Sequence, residues 1–237
     1  MPVMAVSDDF LVRENVMPVS DLRQRADRMI EANGFLGVPQ ETFETAGRSH
    51  FVRLLEQGLC PESKVLEIGC GCLRIGYWLI RFLDTGGYAG FDPARKRIEH
   101  GRHFLFEPKM LLDKQPRFNF NAEFDTGGFA EPFDYFLACS IWTHCSKRHI
   151  QVMLDGFLEN TVRDAKFIVS YLPPLGSEDD YQGDLWVGTS HESTTPGIVR
   201  HSLVWIQQQC KERGLVLTEL DGMDCDSQFW LRIERQR

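Results

Sequence analysis

No apolar run in this sequence approaches the roughly 20 residues that a membrane-crossing helix needs, and none reads as a membrane span. Positive charge is also scarce. Lysine and arginine total 26 against 34 aspartates and glutamates, a net charge of −8 at pH 7. A surface for nucleic acid or an anionic membrane needs concentrated basic side chains. The densest basic stretch, Arg95, Lys96, Arg97 and Arg102, is offset by Asp92 and Glu99 and reads as the solvated face of a helix. The opening "MPVMAVSDDFLVREN" lacks the basic start and apolar core of a secretory signal, which points to the cytoplasm. There the seven cysteines, an odd number, read as reduced thiols. Cys70 and Cys72 form a lone C-x-C without the second cysteine pair or histidine pair of a zinc site, so no metal is expected. Internal repeats and low-complexity segments are absent as well.

What is present is a chain of 237 residues, 43% hydrophobic, long enough to bury one full core. Residues 20–33 carry Leu22, Ala26, Met29 and Ile30 on one helical stripe, with Ser20 in capping position. "GFLGVPQETFETAG" reads as a loop or broken helix and "RSHFVRLLEQG" as a second helix. Then short apolar runs begin to alternate with helical periods. "KVLEIG", "GYAGFD", "RFNFNAEF", "FDYFLACS" and "KFIVSYL" read as strands, and "IGYWLIRFL", "PARKRIEHGRHFL" and "KRHIQVMLDGFLENTV" as helices. That alternation predicts βαβ units. The end breaks the pattern: after the helix "HSLVWIQQQCKERG", the strands "LVLTELD" and "SQFWLRIER" are joined only by "GMDCD", too short for a parallel crossover. The expected fold is therefore α/β, a doubly wound, seven-stranded, mostly parallel sheet with an antiparallel last strand and an N-terminal helical cap.

The stretch "VLEIGCGCLRIG", Val65 to Gly76, sits at the first strand-to-helix turn, where open α/β sheets bind ligands. Gly69 and Gly71 let backbone approach a ligand closely, and the following helix N-terminus offers free N–H groups. Counting from Gly69 puts Arg74 where the dinucleotide fingerprint needs its third glycine, and no Gly-Lys-Ser/Thr of a phosphate loop follows. The pattern that fits is E-x-G-x-G with Glu67. It resembles motif I of the class I, Rossmann-like S-adenosylmethionine-dependent methyltransferases, and the resemblance runs over roughly residues 40–236. Asp92 ends "YAGFD" 25 residues after Glu67, where that family keeps an acidic residue for the ribose hydroxyls. "FDYFLACSIWTH" looks like the family's fourth strand and substrate-facing loop, and the closing strands look like its reversed hairpin. The "GCGCLRIG" and S-x-x-T-H wording is most similar to bacterial enzymes acting on small molecules or carbohydrates. Leu73 replaces the usual third glycine. For the acidic residue after strand three, Glu123 and Asp125 both qualify, with Asp125 preferred because it directly follows the apolar run.

The resemblance implies S-adenosylmethionine as cofactor, held by Glu67, Gly69, Gly71, Asp92, Asp125 and Cys139, and a small-molecule methyl acceptor bearing a hydroxyl, amine or thiol. It also implies acceptor contacts from Ser140 and Thr143, and a division into an N-terminal helical extension (1–60) covering the active site and a cofactor-binding domain (61–237). His144, just past the fourth strand, reads as general base, substrate contact or loop support; an imidazole near neutrality can take the proton an acceptor loses. Cys139 also reads as a catalytic thiol or a small buried hydrophobe. Residues 173–197 are too long and polar for a routine connection and read as a substrate lid carrying Tyr181, Trp186 and His191, or as a surface loop. Two further functions stay open: a cofactor-binding protein without catalysis in a partner complex, and a nucleotide-dependent oxidoreductase.

Overall fold

A computed structural model describes residues 21–34, 40–176, 179–188, 197–222 and 227–236. Helices α1 (Asp21–Asn33) and α2 (Phe43–Glu56) precede strand β1 (Val65–Ile68). Helix α3 (Gly76–Phe82), strand β2 (Tyr88–Phe91), helices α4 (Arg95–Leu105) and α5 (Pro108–Lys114), and strand β3 (Arg117–Asn119) follow. The second half runs β4 (Phe133–Ala138), α6 (Lys147–Asn160), β5 (Thr161–Tyr171), α7 (Leu203–Glu212), β6 (Leu215–Leu220) and β7 (Phe229–Arg235).

The seven strands form one sheet in the order β3-β2-β1-β4-β5-β7-β6. β1 pairs in parallel with β2 and β4, while β7 runs antiparallel to both β5 and β6. The predicted closing pair is thus present, with Leu215 opposite Arg235 and Leu220 opposite Trp230. Strand order reverses between β1 and β4, and the crevice beyond their carboxyl ends is the place where such sheets take ligands.

Alternation along the buried strands supplies two cores, one on each face. Val65 and Leu137 pack with α1–α4 residues such as Met29, Leu54, Leu79 and Ile98. Leu66, Ile68 and Phe136 pack with Ile150, Met153 and Phe157 of α6 and Ile206 of α7. On α1 the predicted stripe holds: Leu22, Ala26 and Met29 are buried and Ile30 packs against them; Ser20 lies outside the described residues. No helix among the described residues is long and apolar enough to cross a membrane.

Three local expectations are corrected. The second helix starts at Phe43 rather than at Arg48, because Phe43, Ala46, Gly47, His50 and Leu54 already form a buried helical stripe. The third strand stops at Asn119, whose side-chain oxygen accepts the Phe120 N–H at 2.6 Å and takes the backbone out of the ladder. Helix α5, opened by Pro108 at its first position, was not expected from the sequence.

Candidate functional site

Beyond β1 the chain turns through three left-handed residues, Gly69 (φ 70°), Gly71 (φ 50°) and Leu73 (φ 63°). Leu73 adopts this disfavoured conformation with its side chain fully buried between the helices, which is how the turn keeps its course without the third glycine. The N–H groups of Gly69 and Cys70 both reach the Phe91 carbonyl, at 2.8 and 3.1 Å, so the loop leans onto the tip of β2. There Asp92 accepts the Gly71 N–H on one carboxylate oxygen at 3.1 Å and the Ala94 N–H on the other at 2.8 Å. A carboxylate has about four lone-pair positions, so both oxygens keep capacity for a ligand. A Cβ on Gly69 would collide with Ile141 Cδ1 at 2.1 Å, whereas one on Gly71 would meet nothing nearer than Asp92 Oδ2 at 4.0 Å. The open side of Gly71 is a cradle of the kind the approach of a ligand to bare backbone requires.

Cys70 and Cys72 answer to packing. Both are buried, and burial pushes the Cys70 thiol well up and the Cys72 thiol to about 12, so both stay protonated.

Glu67 lies beneath the turn, buried, and accepts the Tyr88 hydroxyl at 2.6 Å. Burial pushes its carboxyl up to about 7; the Tyr88 hydrogen bond and the charges of Arg74 and His50 act in the opposite sense. His50 comes from α2, which crosses the loop so closely that a Cβ on Gly47 would lie 2.5 Å from the Arg74 carbonyl. Its Nδ1 stands 3.5 Å from Cys139 Sγ, and Arg74 Nη2 approaches the same sulfur at 3.8 Å. Cys139 therefore sits at the end of β4 between an imidazole and a guanidinium. Nothing in the sequence near residue 139 pointed to His50 or Arg74.

Ser140 follows with φ 57°. Its N–H donates to Ser170 Oγ at 2.8 Å, the Ser170 hydroxyl donates to Gln228 Oε1 at 2.7 Å, and Gln228 Nε2 donates to Ser140 Oγ at 2.7 Å. Thr143 is turned into the fold, 1% exposed, and its hydroxyl has no partner among the described residues. Its carbonyl accepts the Val199 N–H.

His144 is joined to the 179–188 segment. Its Nδ1 stands 2.8 Å from the Val187 carbonyl, its own carbonyl accepts the Val187 N–H at 2.8 Å, and its ring stacks on Trp186 at 5.5 Å. Burial holds its pKa below the ordinary histidine value, while the Val187 and Gly197 carbonyls act in the other direction. Trp186 also stacks against Phe124 at 6.1 Å, so the segment is held to the loops after β3 and β4. Lys147 pairs with Asp180 at 2.7 Å at its base. Tyr181 turns back on the segment itself, donating to the Leu185 carbonyl at 3.0 Å. His191 lies outside the described residues. Asp125 is exposed in a tight turn beyond the end of β3 at Asn119, accepting the Gly127 N–H at 2.8 Å, and Glu123 is exposed as well.

No family model matches the sequence. Among solved structures the chain is similar to magnesium protoporphyrin IX methyltransferase (ChlM) from Synechocystis PCC 6803 with bound SAM. The identity is 16%, with 99% of this chain and 100% of that chain covered and a TM-score of 0.60. The glycopeptide N-methyltransferase MtfA complexed with S-adenosylmethionine matches at 11% identity, 80% and 94% coverage and a TM-score of 0.58. The ribosomal protein L11 methylase from Lactobacillus delbrueckii subsp. bulgaricus matches at 11%, 86% and 83%, and 0.55. At these identities the likeness is one of fold, and with the strand order and the reversed β7 it is specific: this chain has the class I S-adenosylmethionine-dependent methyltransferase fold.

Proposed function

We propose that this protein transfers a methyl group from S-adenosylmethionine to a small-molecule acceptor. The observation that carries the reading is the cradle after β1, where Gly71 is open on one side and its N–H is held by Asp92. Asp92, fixed by two backbone N–H groups, would hold the paired ribose hydroxyls with its remaining lone pairs, and Gly71 would let the backbone come close to the cofactor, while the bare side of Gly69 takes Ile141. Three structural relatives bind or modify chemically different acceptors by their names, a porphyrin, a glycopeptide and a ribosomal protein. The fold alone thus leaves the acceptor open, and the acidic chain favours an acceptor other than nucleic acid.

When bound, S-adenosylmethionine supplies a methyl group already activated on a sulfonium. What the chain adds is alignment, exclusion of water and a place for a proton. The 179–188 segment, clasped by Phe124 and His144 through Trp186, serves as the lid that excludes water. His144 is the proton acceptor of the reading: donation from Nδ1–H to Val187 leaves Nε2 as the basic atom of a neutral ring. Cys139 and Ser140 line the side toward β4.

Isothermal titration with S-adenosylhomocysteine and with NAD tests the cofactor. Binding of the first and not the second is expected, and Gly71→Val, which fills the cradle, should abolish it in a folded protein. Binding of NAD alone would overturn the reading in favour of an oxidoreductase. Methyl incorporation from labelled cofactor across hydroxyl, amine and thiol acceptors then identifies the acceptor class.

A further inference from the structure

The fold treats one of the described cysteines differently from the rest. Cys70, Cys72, Cys145 and Cys210 are buried, and burial raises all four thiols, so they stay protonated. Cys60 is exposed, but its neighbour is the Ser63 hydroxyl at 3.2 Å, which is no base. Cys139 is half-buried and meets both an imidazole and a guanidinium. His50 Nδ1 stands 3.5 Å from its sulfur, Nε2 of the same ring 4.0 Å, and Arg74 Nη2 3.8 Å. These groups arrive from 89 and 65 positions away. The His50 ring is fixed, 1% exposed and packed against the Trp230 ring at 5.2 Å. Glu67 pairs with Leu137 across the parallel β1–β4 ladder, so two residues farther along each strand Gly69 and Cys139 leave the sheet side by side. A thiol attacks as its thiolate, and a base at hydrogen-bond distance can supply that form at the moment of attack. A guanidinium beside the sulfur takes no proton, but its fixed charge favours the anion.

We propose that Cys139 is a site of oxidation by hydrogen peroxide, with His50 as the base that takes the thiol proton and Arg74 as the charge that faces the sulfur. The sulfur attacks one peroxide oxygen, and the S–O bond forms as the O–O bond breaks. Sulfur gives up two electrons to the peroxide. The proton held by His50 passes to the departing hydroxide, which leaves a sulfenic acid and water. The added oxygen lies where β1 and β4 end. Resting on the methyltransferase reading of that crevice, oxidation of Cys139 and binding of the cofactor exclude each other, so the thiol is a redox brake on the site.

The full chain is treated with hydrogen peroxide and dimedone, which traps sulfenic acids, and the rate at each cysteine is read by peptide mass spectrometry. In the wild type Cys139 should be labelled about tenfold faster than Cys60, although Cys60 is the more exposed. His50→Gln, which takes no proton, should remove that advantage and leave the Cys60 rate as it was. Continued protection of buried Cys145 reports that the variant is folded. If His50→Gln exposes Cys145, Arg74→Gln carries the same comparison through the loss of the charge. Labelling of Cys139 no faster than Cys60 in the wild type overturns the proposal, and so does an unchanged Cys139 rate in the folded variant. Saturating S-adenosylhomocysteine should slow labelling of Cys139 about tenfold and leave Cys60 alone. If it binds by calorimetry without slowing Cys139, the mutual exclusion is wrong. Failure of the wild type to bind it at all would remove the methyltransferase reading, while the comparison with Cys60 still decides the oxidation.

Discussion

At the scale of single residues, the buried carboxyl of Glu67 makes a prediction that needs no ligand. With its pKa about 7 in the fold against an ordinary 4.5, the folded state holds a proton that the unfolded state has lost across that window. Stability must therefore fall as pH rises from about 4.5 to 7, by up to on the order of 3 kcal/mol. Glu67→Gln, which still accepts the Tyr88 hydroxyl, should unfold at a higher temperature than the wild type at pH 8 and lose that advantage at pH 5. Parallel melting curves for the two proteins over pH 5–8 would show that the Arg74 and His50 charges hold the carboxylate ionised after all. Asp92 acts through the two backbone N–H groups it accepts. Asp92→Ala should lower affinity for S-adenosylhomocysteine tenfold or more, and it also strands the Gly71 and Ala94 N–H groups. Asp92→Asn, which keeps a carbonyl for one of them, separates the two effects: if it binds as the wild type does, the carboxylate is structural. For His144, turnover of His144→Ala should drop by 10²–10⁴ if the ring accepts the acceptor's proton. The wild-type rate should then fall on the acid side, below the ordinary histidine range, because burial lowers the pKa. An acid limb that survives in the variant would give the titration to another group.

Among the elements, those with their own local pattern were legible and those made by distant contact were not. The β1–α3–β2 unit, the amphipathic α6 and the closing β6–β7 pair each carry their period in the sequence, and the structure has them in place. Glu67, Gly69, Gly71 and Asp92 were legible for the same reason, since a turn between a strand and a helix writes its glycines and its acidic neighbour locally. His50 was not, because the contact between His50 and Cys139 spans 89 positions. Gln228 reaches Ser140 across 88. The end of the third strand was misplaced because apolar Phe124 looked like its last residue, whereas it turns down into the core at φ 57° and packs on His149 and Trp186. The same Trp186 gives the lid a test. Stacked against both Phe124 and His144, it is the aromatic fastening of the 179–188 segment. Trp186→Ala should raise the rate of limited proteolysis within residues 173–197 severalfold and, because the indole packs against the core on the α6–α7 face, lower the melting temperature by a few degrees, about 2–4 °C per kcal/mol lost. Cleavage at the wild-type rate would mean that the Lys147–Asp180 pair, not the indole, holds the segment down.

The whole molecule decides whether residues 1–60 are an extension or part of the fold. Read along the sequence, the chain divides at about residue 60, although the family resemblance already runs from about residue 40. Packing crosses that boundary. Leu22, Met29, Phe43 and Leu54 are at most 3% exposed and share one core with Val65, Leu79, Ile98 and Leu137. Farther along, α2 is tied to the sheet through the Gln57 carbonyl, which accepts the Tyr135 hydroxyl at 3.1 Å. Burial of each such large apolar side chain stabilises by about 1.5–3 kcal/mol, so these four contribute on the order of 10 kcal/mol. That is comparable with the entire net stability of a domain, about 5–15 kcal/mol. A chain of residues 61–237 should accordingly fail to unfold cooperatively on heating and should expose enough apolar surface to bind a hydrophobic dye. The full chain should melt in one transition, α1 and α2 together with the sheet. A cooperative, dye-free 61–237 fragment that still binds S-adenosylhomocysteine would make the helices a detachable cap. Loss of the fold on truncation would instead make α2 an integral wall of the site, and the His50 and Gly47 contacts to Cys139 and Arg74 a consequence of the same core that holds β1 in place.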